Sequence, residues 1–275
     1  MSAPGEVVDR GMSAPRQSAS LAGLRAVITG GAGGIGFAIA RRLATMGVST
    51  ALIGRDQARL DEAVRQLGDA PHEAIACDVA DSAAVTRVFR KLADDARSPH
   101  ILVNNAGRAR SASLASLSDD AWDETLRVNL TGTFHCTRAA MPEMLALPIG
   151  RVVNIASTAG LIGYPHIAAY CAAKHGVVGL TRALALEFAR SKVTVNAVCP
   201  GYTDTAIVAD AISSIARGTG CTESEAREAL LRRNPQRRLV MPDEVAATVA
   251  WLCMPQSQSI NGQAISLSGG EVMTG

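Results

Sequence analysis

The chain has 275 residues, 48% of them hydrophobic but only 3% aromatic, so it can bury a sizeable core made mainly of Ala, Val, Leu and Ile. A formal net charge of +2 without a sustained basic run argues against a nucleic-acid partner held through phosphate contacts. The apolar runs stop short of the ~18–20 residues a membrane span needs, so no membrane span is expected, and Cys77, Cys136, Cys171, Cys199, Cys221 and Cys253 have no metal-ligand spacing, which predicts no metal and reduced thiols in a cytoplasmic protein.

Met1 to about Ser20 is rich in Ser, Ala, Pro and Gly and lacks the apolar stretch of a signal peptide, so a disordered arm is expected there, followed by one domain over 21–275. Met-Ser-Ala-Pro occurs at Met1 and again at Met12, which makes Met12 a candidate start. Leu24 to Thr29 reads as a buried strand, followed by the turn Gly30-Gly-Ala-Gly-Gly34-Ile35-Gly36 and a helix over Phe37 to Met46. Strand, glycine-rich turn and helix in that order bring backbone close to a pyrophosphate and aim a helix N-terminus at it. The alternation continues with a strand at Val48 to Ile53, a helix over Arg55 to Leu67, a strand at Ala74 to Cys77 and a helix over Ala83 to Leu92. His100 to Val103 is a strand running into Asn104-Asn105-Ala106-Gly107, and a long helical pattern covers Ala121 to Leu145, interrupted by Gly132 and Pro142. Arg151 to Ile155 is a strand, Tyr170 to Arg190 a helix and Val193 to Val198 a strand; after an irregular stretch come a helix at Asp243 to Leu252 and a last strand at Ala264 to Leu267. Seven strands alternating with helices predict an α/β fold with a doubly wound parallel sheet and ligands at the carboxyl ends of its strands.

The chemistry concentrates between Ser157 and Lys174. Tyr170 and Lys174 sit one helical turn apart in an Ala-rich run, on one face. A neighbouring cation favours phenolate and lowers a phenol from its usual pKa of about 10, which makes this pair a candidate proton donor and acceptor. Lysine is scarce, occurring only at Lys91, Lys174 and Lys192. Ser157 falls where a strand hands over to a loop, in position to hydrogen-bond a substrate oxygen.

In sum these motifs resemble the short-chain dehydrogenase/reductase family, over about Leu21 to Glu271. Thr29-Gly30, with Gly34, Ile35 and Gly36, matches the family's cofactor turn, Asp78-Val79 its adenine contact, and Asn104-Asn105-Ala106-Gly107 its strand-four motif. Asn129, Ser157, Tyr170 and Lys174 match the catalytic tetrad, and Pro200-Gly201-Tyr202-Thr203-Asp204-Thr205 the segment that covers the nicotinamide. The resemblance implies a single Rossmann-type domain, a helical substrate lid over about 203–241 and a homotetramer. It also implies that Ser157 holds the substrate oxygen, Tyr170 exchanges its proton, Lys174 binds the nicotinamide ribose and keeps the phenol acidic, and Asn129 anchors a relaying water.

Family members that prefer NAD(H) carry an acid at the end of strand two, where this chain has Gly54, followed by Arg55, whose planar fork can pair with a 2′-phosphate. NADP(H) is therefore expected over NAD(H), although Gly33 stands where many NADP-preferring relatives have a second basic residue. The likeness within the family is to 3-oxoacyl-thioester reductases and aromatic polyketide ketoreductases. The lid carries Arg217, Arg227, Arg232, Arg233, Arg237 and Arg238, a surface suited to coenzyme A phosphates or an acidic acyl carrier protein, or simply a solvated helix pair. Three readings stand: an NADPH-dependent reductase of such a ketone, an NAD-dependent catabolic dehydrogenase of a hydroxyacyl-CoA, cyclic alcohol or steroid, and a non-catalytic dinucleotide-binding protein.

Overall fold

The computed structural model describes residues 20–273; the arm expected to be disordered lies almost wholly outside them. Seven parallel strands form one sheet in the order β3-β2-β1-β4-β5-β6-β7. They are β1 (Arg25–Thr29), β2 (Ser49–Gly54), β3 (Glu73–Ala76), β4 (Ile101–Asn104), β5 (Gly150–Ile155), β6 (Val193–Pro200) and β7 (Ala264–Leu267). The chain winds outward from β1 to β3, then returns to pair β4 on the other side of β1. A crevice therefore opens past the carboxyl ends of β1 and β4, where winding reverses.

Alternate residues of each strand feed two cores. Ile28, Leu52, Val103 and Val153 pack under α1 (Gly34–Ala44) and α9 (Pro242–Cys253), against Ile39, Leu43, Val245 and Val249. Their neighbours Val27, Leu102 and Val152 face α3 (Ser82–Asp94) and α5 (Gly132–Ala146), against Val85, Phe89, Cys136 and Met144. The absence of aromatic bulk is met by this close Val, Ile and Ala packing, which excludes water from both faces of the sheet.

Polar side chains tie the inner strands to the helices beside the crevice. Asn104 donates to Thr137 (2.9 Å) and to Asn154 (2.8 Å), and Asn154 donates to Thr181 (2.9 Å) on α6 (Ala168–Glu187). All four are buried, so each bond forms in a low-dielectric interior and fixes the register of α5, β4, β5 and α6.

Two stretches differ from the sequence expectation. The pattern over Ala121 to Leu145 is not one helix: α4 (Asp119–Leu126) passes through a π-helical turn, Arg127–Thr131, into α5. The stretch read as irregular in the chain-order pattern holds α7 (Ala206–Thr219) and α8 (Glu223–Leu231), the helical lid that the resemblance implies over about 203–241. A capping box starts α8, with Glu225 N–H donating to Thr222 Oγ1 (3.3 Å) and Thr222 N–H to Glu225 Oε2 (2.8 Å). Elsewhere the strand and helix bounds move by a few residues. One such shift is at α1, which begins at Gly34 rather than Phe37, so the glycine-rich turn runs straight into the helix.

Candidate active site

The turn after β1 is shaped by contacts that leave no room for side chains. Gly30 has φ +66°, a left-handed conformation, and a Cβ on Gly36 would lie 2.2 Å from the Gly30 carbonyl oxygen. Asn105 holds the turn from the next strand: its Nδ2 donates to the carbonyls of Thr29 (3.0 Å) and Gly30 (3.1 Å). Thr29 Oγ1 in return accepts the N–H groups of Asn105 and Ala106, both at 3.0 Å. The N-terminus of α1, where Gly34 and Gly36 carry no side chain, thus faces the crevice, which fits a dinucleotide diphosphate.

The segment after β6 closes over this turn. Thr205 Cγ2 lies 3.3 Å from the place a Cβ on Gly34 would take, and Thr203 is buried, its hydroxyl donating to Gly201 O (3.0 Å). On the far side, Arg55 follows β2 and is exposed, and Asp56 caps α2 (Gln57–Arg65) by accepting Arg59 N–H at 3.1 Å. Asp78 is exposed and accepts Ala80 N–H (2.9 Å), while Val79 is buried against Gly132.

Ser157, Tyr170 and Lys174 come together at the carboxyl end of β5. Ser157 Oγ accepts Ala159 N–H (3.1 Å), capping the short helical turn Thr158–Gly160, and lies near the Tyr170 phenol. Lys174 is only 4% exposed; its Nζ donates to Ile155 O (2.7 Å) and lies 5.6 Å from the centroid of the Tyr170 ring. Asn129, fully buried in the π-helical turn, donates through Nδ2 to Arg108 O and Thr125 O, both at 2.9 Å, and accepts Arg108 N–H through Oδ1 (3.2 Å). A Cβ on Gly107 would stand 2.7 Å from Asn129 Oδ1 and 3.7 Å from Lys174 Nζ. The bare Gly107 therefore leaves open the space between those two atoms.

The electrostatics correct one expectation. Lys174 does not make Tyr170 acidic in this fold. Burial pushes the phenol up to about 12, against the smaller opposing effect of the Ser157 hydroxyl. Burial also pulls the Lys174 ammonium down to about 8. The cation lies beside the ring, 5.6 Å from its centroid, and is tied to a carbonyl, and the phenol is governed by desolvation.

Part of the site left no trace in the sequence pattern. The Tyr164 phenol hydrogen-bonds Thr158 Oγ1 (2.8 Å) and donates to Glu271 Oε1 (2.7 Å), while Arg233 from the end of the lid stacks 4.8 Å above the Tyr164 ring. Tyr202 meets the same ring edge-on at 6.5 Å. This cluster joins the loop after Ser157, the lid and the C-terminal segment, which are far apart in the chain, so no local spacing could announce it.

The short chain dehydrogenase family matches residues 25–215. The chain is 40% identical over 249 residues to a Streptomyces violaceoruber protein assigned as ketoacyl reductase 1 of the granaticin polyketide synthase, covering 89% of this chain and 92% of that one. It is 37% identical over 250 residues to a D-beta-hydroxybutyrate dehydrogenase of Rhizobium meliloti, covering 89% and 97% of the two chains. Among solved structures, a variant of actinorhodin polyketide ketoreductase with NADPH superposes with a TM-score of 0.86 at 36% identity, covering 90% of this chain and 97% of that one.

Proposed function

The chain belongs to the short-chain dehydrogenase/reductase family of nicotinamide-dependent oxidoreductases, and from that premise we propose that it uses NADPH to reduce a 3-oxoacyl thioester or a polyketide-like ketone. The observation that carries this reading is the convergence of Ser157, Tyr170 and Lys174 on a crevice whose other wall is the bare glycine turn. A nicotinamide held in the crevice would supply the hydride for the carbonyl carbon. Ser157 holds the carbonyl oxygen by hydrogen bond, and Tyr170 delivers a proton to that oxygen as it gains charge. A phenol pushed up to about 12 is protonated at neutral pH, the state a reductase needs. Lys174 keeps a positive charge beside the phenolate that results and has ammonium protons left for the ribose. Asn129 Oδ1 retains a lone pair toward the space above Gly107, where a water can pass a proton between Lys174 and solvent.

Gly30, Gly34, Ile35 and Gly36 take the diphosphate in this reading, Asp78 and Val79 the adenine, and Asn105, Ala106 and Gly107 the inner edge of the cofactor. Pro200, Gly201, Tyr202, Thr203 and Thr205 cover the nicotinamide. Preference for NADP(H) rests on Arg55 beside Gly54 and on the likeness to a ketoreductase solved with NADPH. The carrier is coenzyme A or an acyl carrier protein, supported by Arg217, Arg227, Arg232 and Arg237, exposed lid residues outside the ion pairs formed among the described residues. Arg238 is committed to Glu244 (2.6 Å). A homotetramer in the cytoplasm completes the proposal, consistent with six free cysteines.

The test is turnover. Purified protein is assayed with 3-oxoacyl-CoA, cyclic ketones and steroids, using NADPH and NADH in parallel. NADPH-dependent loss of a 3-oxoacyl thioester supports the proposal. Faster NAD-linked oxidation of a hydroxy acid or secondary alcohol would instead place the chain with dehydrogenases like the Rhizobium meliloti relative.

A further inference from the structure

The residue before the middle glycine of the turn is Gly33, which leaves Arg55 as the one cation the local sequence offers to a 2′-phosphate. The fold brings a second. Arg59, on the first turns of α2, extends its guanidinium across the turn, with Nη2 3.6 Å from where a Cβ on Gly33 would be. The arginine missing from the turn is thus replaced in space by one from a neighbouring helix.

The surroundings of Arg59 leave its charge available. Its own neighbours on α2 are otherwise engaged: Glu62 is bound by Arg65 and by Gln66 Nε2 (2.9 Å), and Asp61 by Gln57 Nε2 (2.8 Å). Asp56 accepts the Arg59 backbone N–H (3.1 Å), not its guanidinium. Arg59 is exposed and forms no ion pair among the described residues, and neither does Arg55. The guanidinium also hangs over the N-terminus of α1, the positive end of that helix. Two positive features facing each other without a counter-ion repel, and an anion between them removes the repulsion. A surface groove lined by Ala32, Phe37, Asp56, Arg59, Glu62 and Arg65 opens beside it, with Glu62 held by Arg65.

We infer that Arg59 is a second specificity-determining residue, which grips the 2′-phosphate of the dinucleotide from helix α2 in place of a basic side chain on the turn. The inference rests on the NADPH reading above and names how this chain achieves it. The planar fork suits two oxygens of a phosphate, and the contact is charge-assisted. Gly33 supports the same idea from the other side. Its backbone is extended, with φ 178°, so any residue can occupy the position, and the space beyond its missing side chain is the space Arg59 fills.

The test is equilibrium binding of NADPH and NADH to the full chain, read by nicotinamide fluorescence at fixed salt. Arg59→Ala is expected to weaken NADPH by about tenfold and to change NADH less than about twofold. Adding Gly33→Arg to Arg59→Ala returns the charge to the turn and restores NADPH binding. Unchanged NADPH affinity in Arg59→Ala, when wild type prefers NADPH, overturns the inference alone and leaves the NADPH reading intact. Equal weakening of both dinucleotides also overturns it, since Arg59 would then serve the shared diphosphate or the fold. So does a double variant that binds NADH normally without regaining NADPH. Equal binding of NADPH and NADH by wild type instead brings down the cofactor reading itself.

Discussion

Lys174 holds its charge where burial disfavours it: 4% exposed, it has a pKa lowered from 10.5 to about 8. Below about pH 8 the folded and unfolded chains both carry that proton, so the burial penalty is fully present. Between about 8 and 10.5 the folded chain releases the proton first, and the contribution of Lys174 to stability rises with pH. The shift corresponds to about 3 kcal/mol, offset by about 1 kcal/mol from the hydrogen bond to Ile155 O. Lys174→Met is therefore expected to be more stable than wild type by roughly 1–2 kcal/mol at pH 7 and to lose that advantage by pH 10. Thermal melts of the two proteins across this range check it; a gap that stays constant with pH contradicts it. The identities of Ser157, Tyr170 and Lys174 are legible in the sequence because two of them share a helix at one-turn spacing. Their protonation is not, because desolvation depends on what packs around the pair, and here it raises the phenol and lowers the ammonium.

At the scale of elements, the alternation of strand and helix is plain because most strands are short apolar runs closed within a residue or two by Gly, Asn or Asp. The π-helical turn at Arg127–Thr131 has no such signature. It widens one turn inside a continuous helical pattern, and places Asn129 where its side chain can hold the Gly107–Arg108 loop. The lid shows no clear helical period along the chain, yet Thr222 and Glu225 stand three apart at the start of α8, a capping signal available in the sequence. The polar links from Asn104 through Asn154 to Thr181 are invisible to a pattern of apolar residues, since they sit inside it. Arg59 was hidden differently: it occupies an ordinary helical position, and only the packing of α2 beside the glycine turn brings it over Gly33.

Over the whole molecule, the helices on the outside of the sheet retain apolar side chains that the chain does not cover by itself. Among the described residues, Trp122 is 37% exposed, Phe134 40%, Trp251 49% and Leu186 80%. They lie on α4, α5, α9 and α6, the last three of which also carry the core, so one face of each helix packs inward and another is left to solvent. The proposed homotetramer covers such faces by symmetry. Light scattering at micromolar concentration is expected to give four times the chain mass; the mass of a single chain contradicts the assembly.

The central claim is that Tyr170 transfers the proton while the rest of the crevice binds the cofactor, and Tyr170→Phe separates the two. The substitution keeps the ring against Lys174 and removes only the phenolic oxygen. Turnover of a 3-oxoacyl thioester should fall by at least about a hundredfold, with NADPH affinity within about twofold of wild type when measured by nicotinamide fluorescence. A Tyr170→Phe protein that binds NADPH normally and keeps more than about a tenth of the wild-type rate contradicts the account.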